Sequence, residues 1–321
     1  MSWQTGGFTE CGLSVRAIEP WSRLLTEVGG WEVVHRGLTP ASTRRLWPIP
    51  ADTPVEECLL GNPGDTTGYL RLFRFQLPDQ REIRGGAQAW DSGGIYDLDV
   101  RVPALEPFHA ALAGRGWRGV SAPVEWSFGE LCIREWLAVG PEATVLALIE
   151  RVAPPLEGWP TLRKFSRIFN SSQTVADMDR AVAFYRRLGF TVAVSHDGPL
   201  AGRGGEVLGL APERAPRTRV ELVIMHPQGV MDGSIELVRI HDMPARDFSA
   251  DALPHQLGLN LVRFPVQDIG AFSEHVRRTP ELPDPGPIVR TRLEPFGPVE
   301  LLALRSPDGA WLEFYEAARD T

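Results

Sequence analysis

The chain has 321 residues, 43% hydrophobic and 23% charged, a length that suits two domains with sizeable cores. Its formal net charge of -8 argues against a nucleic-acid protein, which needs a basic face. Cys11, Cys58 and Cys132 are odd in number and lack metal-type spacing, so they read as free thiols of a reducing compartment.

In chain order, MSWQTGGFTE opens the sequence without a basic-then-apolar run. No apolar stretch approaches the ~20 residues that span a bilayer, so a cytoplasmic protein with no membrane partner is expected. A pattern then appears at 13–35 (LSVRAIEPWSRLLTEVGGWEVVH) and returns at 98–120 (LDVRVPALEPFHAALAGRGWRGV) and 173–194 (QTVADMDRAVAFYRRLGFTVAV). A weaker copy, FPVQDIGAFSEHVRRT, covers 264–279. Each starts with an alternating strand ending on Val15, Val102, Val175 or Val266, and an amphipathic helix follows. In the third copy Met178, Val182, Tyr185 and Leu188 recur at helical spacing. Asp177 is placed to cap that helix and Gly189 to end it. Pro20 and Pro107 fall early in their helices, where a missing N–H costs little.

Each copy closes on a further apolar strand: GYLRLFRF at 68–75, ATVLALIE at 143–150, GSIELVRI at 233–240 and GAWLEFYE at 309–316. The unit is β-α-β-β-β, used four times, and the spacing from first to last strand alternates long and short, as duplication of a two-unit ancestor would leave it. RVAPPLEGWPTL, 151–162, divides the units into pairs. The expected organisation is an α+β chain with an N-terminal domain 1–152, a proline-rich linker 153–162 and a C-terminal domain 163–321.

On VADMDRAVAFYRRLGFTV (175–192) and SPDGAWLEF (306–314), the chain resembles the vicinal oxygen chelate superfamily, which includes glyoxalase I, extradiol dioxygenases and bleomycin-resistance proteins. The resemblance implies two tandem domains, each an open curved sheet of two units with helices outside. It also implies a divalent metal held by first-strand and last-strand residues of each unit. Those positions are Glu10 and Arg71, Asp97 and Ala147, Asn170 and Glu236, and Leu261 and Glu313 in the four units. None is a histidine. The two-His, one-Glu set of an extradiol dioxygenase is therefore absent, and a metal-dependent dioxygenase is the third-ranked reading.

If each half closes its own cup, Glu10, Arg71 and Asp97 share one, and Asn170, Glu236 and Glu313 the other. If units pair across the linker, Glu10 joins Glu313, while Asp97, Asn170 and Glu236 meet. Glu313 and Glu236 are the candidate catalytic bases and the candidate ligands of a metal (Mg, Mn, Fe or Zn), if one is used. A carboxylate in an apolar cup has its pKa raised by desolvation, which suits a base near neutrality. Asn170, on the polar strand NSSQT, is a third candidate catalytic residue. Glu10, Arg71, Asp97, His226 and His255 are candidates for binding substrate. The alternative role for Arg71 is an ion pair with Glu10 or Asp97, since an unpaired guanidinium inside a cup is costly. The segment 196–218, glycine-rich but lacking the Lys-Ser/Thr of a phosphate-binding loop, is expected to cover a cup's mouth.

The leading functional expectation is a lyase or isomerase that moves a proton next to a carbonyl of a small, aromatic or carbonyl-containing molecule. The alternative is a non-catalytic protein that sequesters an aromatic or apolar compound. A monomer or a homodimer is expected, because four units already complete two cups.

Overall fold

The structure, a computed structural model, describes residues 3–318. After a short strand β1 (Gln4–Thr5), the first unit comprises β2 (Glu10–Ser14), α1 (Ile18–Glu27), β3 (Glu32–Leu38), a one-turn α2 (Ala41–Arg44), β4 (Val55–Gly61) and β5 (Tyr69–Phe75). The second has β6 (Asp97–Val102), α3 (Leu105–Ala113), the short β7 (Arg118–Gly119), β8 (Val124–Phe128), β9 (Leu131–Val139) and β10 (Val145–Ala153). The third runs through β11 (Ile168–Thr174), α4 (Met178–Arg187), β12 (Thr191–Gly198), the one-turn α5 (Gly204–Val207), β13 (Val220–His226) and β14 (Ser234–Ile240). The fourth consists of β15 (Gly258–Gln267), α6 (Ile269–Arg278), β16 (Val289–Leu293), β17 (Gly297–Arg305) and β18 (Trp311–Ala317).

Local chemistry explains the unit. The Asp177 side chain accepts a hydrogen bond from the Arg180 N–H at 3.0 Å, and Asp268 does the same for Ala271 at 2.8 Å, so α4 and α6 begin on carboxylate caps. Gly189, at φ +89°, turns the chain out of α4, a conformation that costs a side-chain-bearing residue energy. The strands alternate as expected. Leu98, Val100 and Val102 of β6 join the helices in one large core, as do Leu312 and Phe314 of β18. That core runs through the whole molecule and draws on both sheets. The opposite strand faces line two concave cups, each with a separate apolar cluster.

The strand order departs from the expected domains. One sheet runs β16-β17-β18-β15-β2-β5-β4-β3 and the other β12-β13-β14-β11-β6-β10-β9-β7. The first unit therefore pairs with the fourth, and the second with the third. The halves 1–152 and 163–321 do not each close a cup; each contributes one unit to both sheets. The joint in each sheet is an antiparallel pair of first strands, with Val262 opposite Cys11 and Ser171 opposite Leu98. Each half buries its strand edges and its share of the core only with the other half present. Separately expressed 1–152 and 163–321 are thus expected to lack cooperative unfolding as monomers and to co-purify when co-expressed. A monomeric, cooperatively melting 1–152 in circular dichroism and sedimentation would contradict this pairing.

Candidate active site

The two cups carry similar charges in opposite arrangements. In the first, β2, β5, β15 and β18 bring Glu10, Arg71, Arg263 and Glu313 together, all 0% exposed. Arg71 donates from Nε and Nη2 to the two oxygens of Glu10 at 2.9 and 2.8 Å, and from Nη1 to Glu57 Oε1 at 2.9 Å. Arg263 donates from Nε to Glu313 Oε2 at 2.6 Å and from Nη1 to Glu10. The Trp47 indole donates to Glu313 Oε1 at 2.7 Å and the Thr39 hydroxyl to Glu57 Oε2 at 2.7 Å. Burial pushes the Glu10 carboxyl up, but the guanidiniums of Arg71 and Arg263 outweigh it and hold its pKa below the usual value. The segment through α2 brings Leu46 and Trp47 over the network, and Phe73, Leu301 and Tyr315 complete the apolar cluster around it.

This geometry corrects several expectations. Glu313 points into a cup, on the strand face opposite Leu312 and Phe314, but it is buried between Arg263 and Trp47, which hold both of its oxygens. Glu10 and Arg71 satisfy each other, the ion-pair alternative for Arg71, and are equally buried. Glu236 and Glu313 lie in different sheets and cannot share a metal. His226 is buried at the end of β13, its Nδ1 accepting from the Gln228 N–H at 2.9 Å; burial lowers its pKa. His255, also lowered by burial, precedes β15. Neither imidazole lines the second cup's cavity.

The second cup stays open, with a cavity of about 130 Å³. Asp97, Asp99 and Arg101 alternate onto it from β6, Glu135 from β9, Asn170 and Ser172 from β11, and Glu236 from β14. The Asn170 amide Nδ2 donates to Asp99 Oδ2 and to Glu236 Oε2, each at 3.2 Å. Its Oδ1 accepts from the Ser171 N–H at 2.9 Å and the Ser234 hydroxyl at 3.0 Å, which fixes the orientation of the amide. Trp126 Nε1 donates to Glu135 Oε2 at 2.9 Å. Asp97 and Asp99 are buried, whereas Glu135 and Glu236 remain partly exposed to the cavity. The walls are apolar and aromatic, with Trp126, Phe128, Phe169 and Leu222 among them. Leu200, Gly204 and Val207 of the expected covering segment close over it. At Gly204 a Cβ would lie 2.6 Å from the Trp126 ring, so only glycine permits this approach.

Burial pushes Asp97 up to about 6, Glu135 up to about 7 and Glu236 up to about 8. It lifts Asp99 well above the carboxylate range, with the neighbouring Asp97 and Glu236 charges adding to the effect. Asn170, Glu236 and Asp97 are thus brought together as the cross-linker pairing requires. Asp99, Glu135, Arg101 and Arg151 also line this cavity and were not among the sequence-derived candidates. The signal for Asp99 and Arg101 was present in DLDVRV, 97–102, which puts three charged side chains on one strand face. Glu135 sits on a middle strand, outside the first-strand and last-strand positions the resemblance supplies.

Comparison with known proteins follows this architecture. Residues 167–314 match the Glyoxalase/Bleomycin resistance protein/Dioxygenase superfamily. The matched residues span the third and fourth of the four βαβββ units. Its fold is similar to the crystal structure of glyoxalase I from Zea mays, with TM-score 0.62, 14% identity, and coverage of 98% of this chain and 93% of that one. A candidate dioxygenase from Bacillus subtilis gives TM-score 0.59 at 12% identity, covering 98% of this chain and 86% of the other. No curated protein sequence matches the chain. No helix among the described residues is long and apolar enough to cross a membrane.

The metal implied by the family does not fit these residues. In the first cup, guanidinium, indole and hydroxyl donors already occupy the carboxylates, and the remaining family positions are Arg71 and Leu261. In the second cup, Ala147 has no donor atom, and the Asn170 amide oxygen is turned toward Ser171 and Ser234. Among the described residues, no group of three or more His, Cys, Asp or Glu is arranged to hold a metal ion.

Two outcomes follow from the contrasting cups. Arg263→Met strands Glu313 in a sealed cup, leaving Glu10 with Arg71 alone, and is expected to cost about 3–5 kcal/mol of stability, whereas Arg263→Met with Glu313→Leu recovers much of the loss. Equilibrium denaturation checks both. The second concerns pH. The raised carboxyls of the second cup stabilise the fold at low pH, and that contribution is lost as pH rises through about 6 to about 8. Glu10, with its lowered pKa, contributes above the ordinary carboxylate range and loses that contribution as pH falls below it. Melting temperature should therefore peak near about pH 5, and Glu236→Gln should flatten its fall on the alkaline side. An alkaline limb unchanged by Glu236→Gln would mean that this carboxyl does not titrate as its surroundings require.

Proposed function

We propose that the second cup is the working site and that the protein is a metal-independent lyase or isomerase. It would move a proton at the carbon next to a carbonyl of a small molecule. The observation that carries this reading is the carboxyl pair Glu236 and Asp99, held by one oriented amide, Asn170, in a cavity with apolar walls. Low polarity around Glu236 raises its proton affinity to about 8, so the group can both take and return a proton near neutral pH.

Glu236 is the group that exchanges the proton, because it faces the cavity. Asn170 is a positioning residue: its two N–H bonds orient Glu236 against Asp99 and favour the ionised form of each. Asp97, lower at about 6, is ionised between about pH 6 and about pH 8, where Glu236 still holds a proton. The two carboxyls are thereby separated into base-like and acid-like members, the arrangement that proton shuttling between carbon and oxygen needs. The apolar walls hold the substrate body and exclude water from the enolate.

The test is deuterium exchange at the α-carbon of a panel of aryl and alkyl ketones, aldehydes and keto acids in D2O, followed by proton NMR. Exchange should rise with pH through about 8, and Glu236→Gln should slow it by about 10²–10⁴-fold. Asn170→Ala should displace the inflection rather than abolish exchange. The aromatic lining also suits a protein that only sequesters its ligand. Stoichiometric binding that survives Glu236→Gln, with no exchange for any compound, would decide for sequestration.

A further inference from the structure

The first cup pairs both of its arginines, but the second leaves two guanidiniums without partners. Arg101 is 8% exposed and its Nε is buried with no hydrogen-bond partner; Arg151 Nε is in the same position. Among the described residues, neither side chain has a carboxylate within salt-bridge distance. The nearby acids are engaged elsewhere. Asp99 takes the Asn170 amide, Glu135 takes the Trp126 indole, and Asp232 takes Arg167 at 2.7 Å. Arg101 instead lies over the Phe169 ring, 4.4 Å from its centroid, and over Trp159 at 5.2 Å. Ile149 pairs with Arg101 across β10 and β6, and Arg151 follows two residues later on the same face, so both reach one end of the cavity. Burial first, and then the like charge of Arg151, brings the Arg101 pKa down to about 10.

Two buried, like-charged, unpartnered donors in one cavity are costly unless an anion completes them. We propose that Arg101 and Arg151 form an anion subsite, and that the ligand of this cup is a small organic carboxylic acid with an apolar or aromatic body. Its carboxylate takes guanidinium N–H bonds at the Arg101–Arg151 end. Its body lies along Phe169 and Ile133, toward Asn170 and Glu236. The proposal rests on the second cup being the working site and narrows its substrate class. A cationic ligand is the opposing choice, because Asp97 Oδ1 also lacks a partner. The guanidiniums outweigh it: Asp99, Glu135 and Glu236 already accept hydrogen bonds and can hold protons, whereas a guanidinium keeps its charge.

The experiment is calorimetric titration of the full-length protein at about pH 6, below the Glu135 and Glu236 values of about 7 and about 8. The probes are phenylacetate, its neutral isostere phenylacetamide, and 2-phenylethylamine. Phenylacetate should bind at least about tenfold tighter than the amide, the size expected for a charge-assisted contact. Arg101→Gln should erase that preference, Arg101→Lys should restore part of it, and both should leave phenylacetamide affinity unchanged. Arg151→Gln, near the partly exposed end of its strand, gives an independent reading should Arg101→Gln fold poorly. Preference for the amine, equal affinity for all three, no binding of phenylacetate, or an acid preference intact in both Gln variants would overturn the proposal. None of these readouts requires turnover. An acid preference without α-proton exchange would leave the subsite standing and remove the proton-transfer reading; the reverse would remove the subsite alone.

Discussion

The rest of the molecule depends on the antiparallel contact between first strands, β2 against β15 and β6 against β11. Because these strands run in opposite directions, each family position on one lies opposite a residue two places further along its partner. Arg263 stands opposite Glu10, Asp99 opposite Asn170, and Asp97 opposite Ser172. One register decides which charged groups meet. It also commits the first unit to the fourth and the second to the third, so neither half of the chain is a complete structural unit.

From that register come two cups with opposite treatments of buried charge. In the first, two guanidiniums are matched to three carboxylates, an indole and a hydroxyl take two of the remaining lone pairs, and Arg263 Nη2 is left without a hydrogen-bond partner. The cationic charge that a metal would bring to such a carboxylate set is supplied by arginine, and the cup is filled. In the second, four carboxyls and two guanidiniums share a cavity without pairing across signs. Burial first, and then like-charge neighbours, raise the acids, and the two guanidiniums are left with empty donor positions. Burial that is matched holds a fold together; burial that is unmatched is poised for a ligand.

The same contrast explains why candidate residues of one type end in different roles. Glu313 and Glu236 both sit in the middle of a unit's last strand, each flanked by apolar residues that face the helices. Glu313 finds Arg263 directly beside it on β15, whereas Glu236 finds Ser172 in the matching place on β11. A serine cannot neutralise a carboxylate, and so Glu236 keeps its proton at a pH where a paired carboxylate has lost it.

Much of this was legible in the sequence. Strand alternation, helix caps, the glycine after α4 and four recurrences of one pattern follow from nearest-neighbour backbone chemistry, which the sequence determines alone. Periodicity likewise settled that Glu313 and Glu236 face away from the helices. The partners of those faces were beyond its reach. Arg263 and Glu10 are far apart in the chain, and whether they meet depends on which first strands pair across the linker. That choice is made by edge hydrogen bonds and by a core common to both sheets. Glu135, Arg101 and Arg151 entered the second cup through the same choice. The tertiary structure decided which cup is sealed and which is open, because buried charge is governed by whatever stands within a few ångströms, and sequence spacing does not specify that distance.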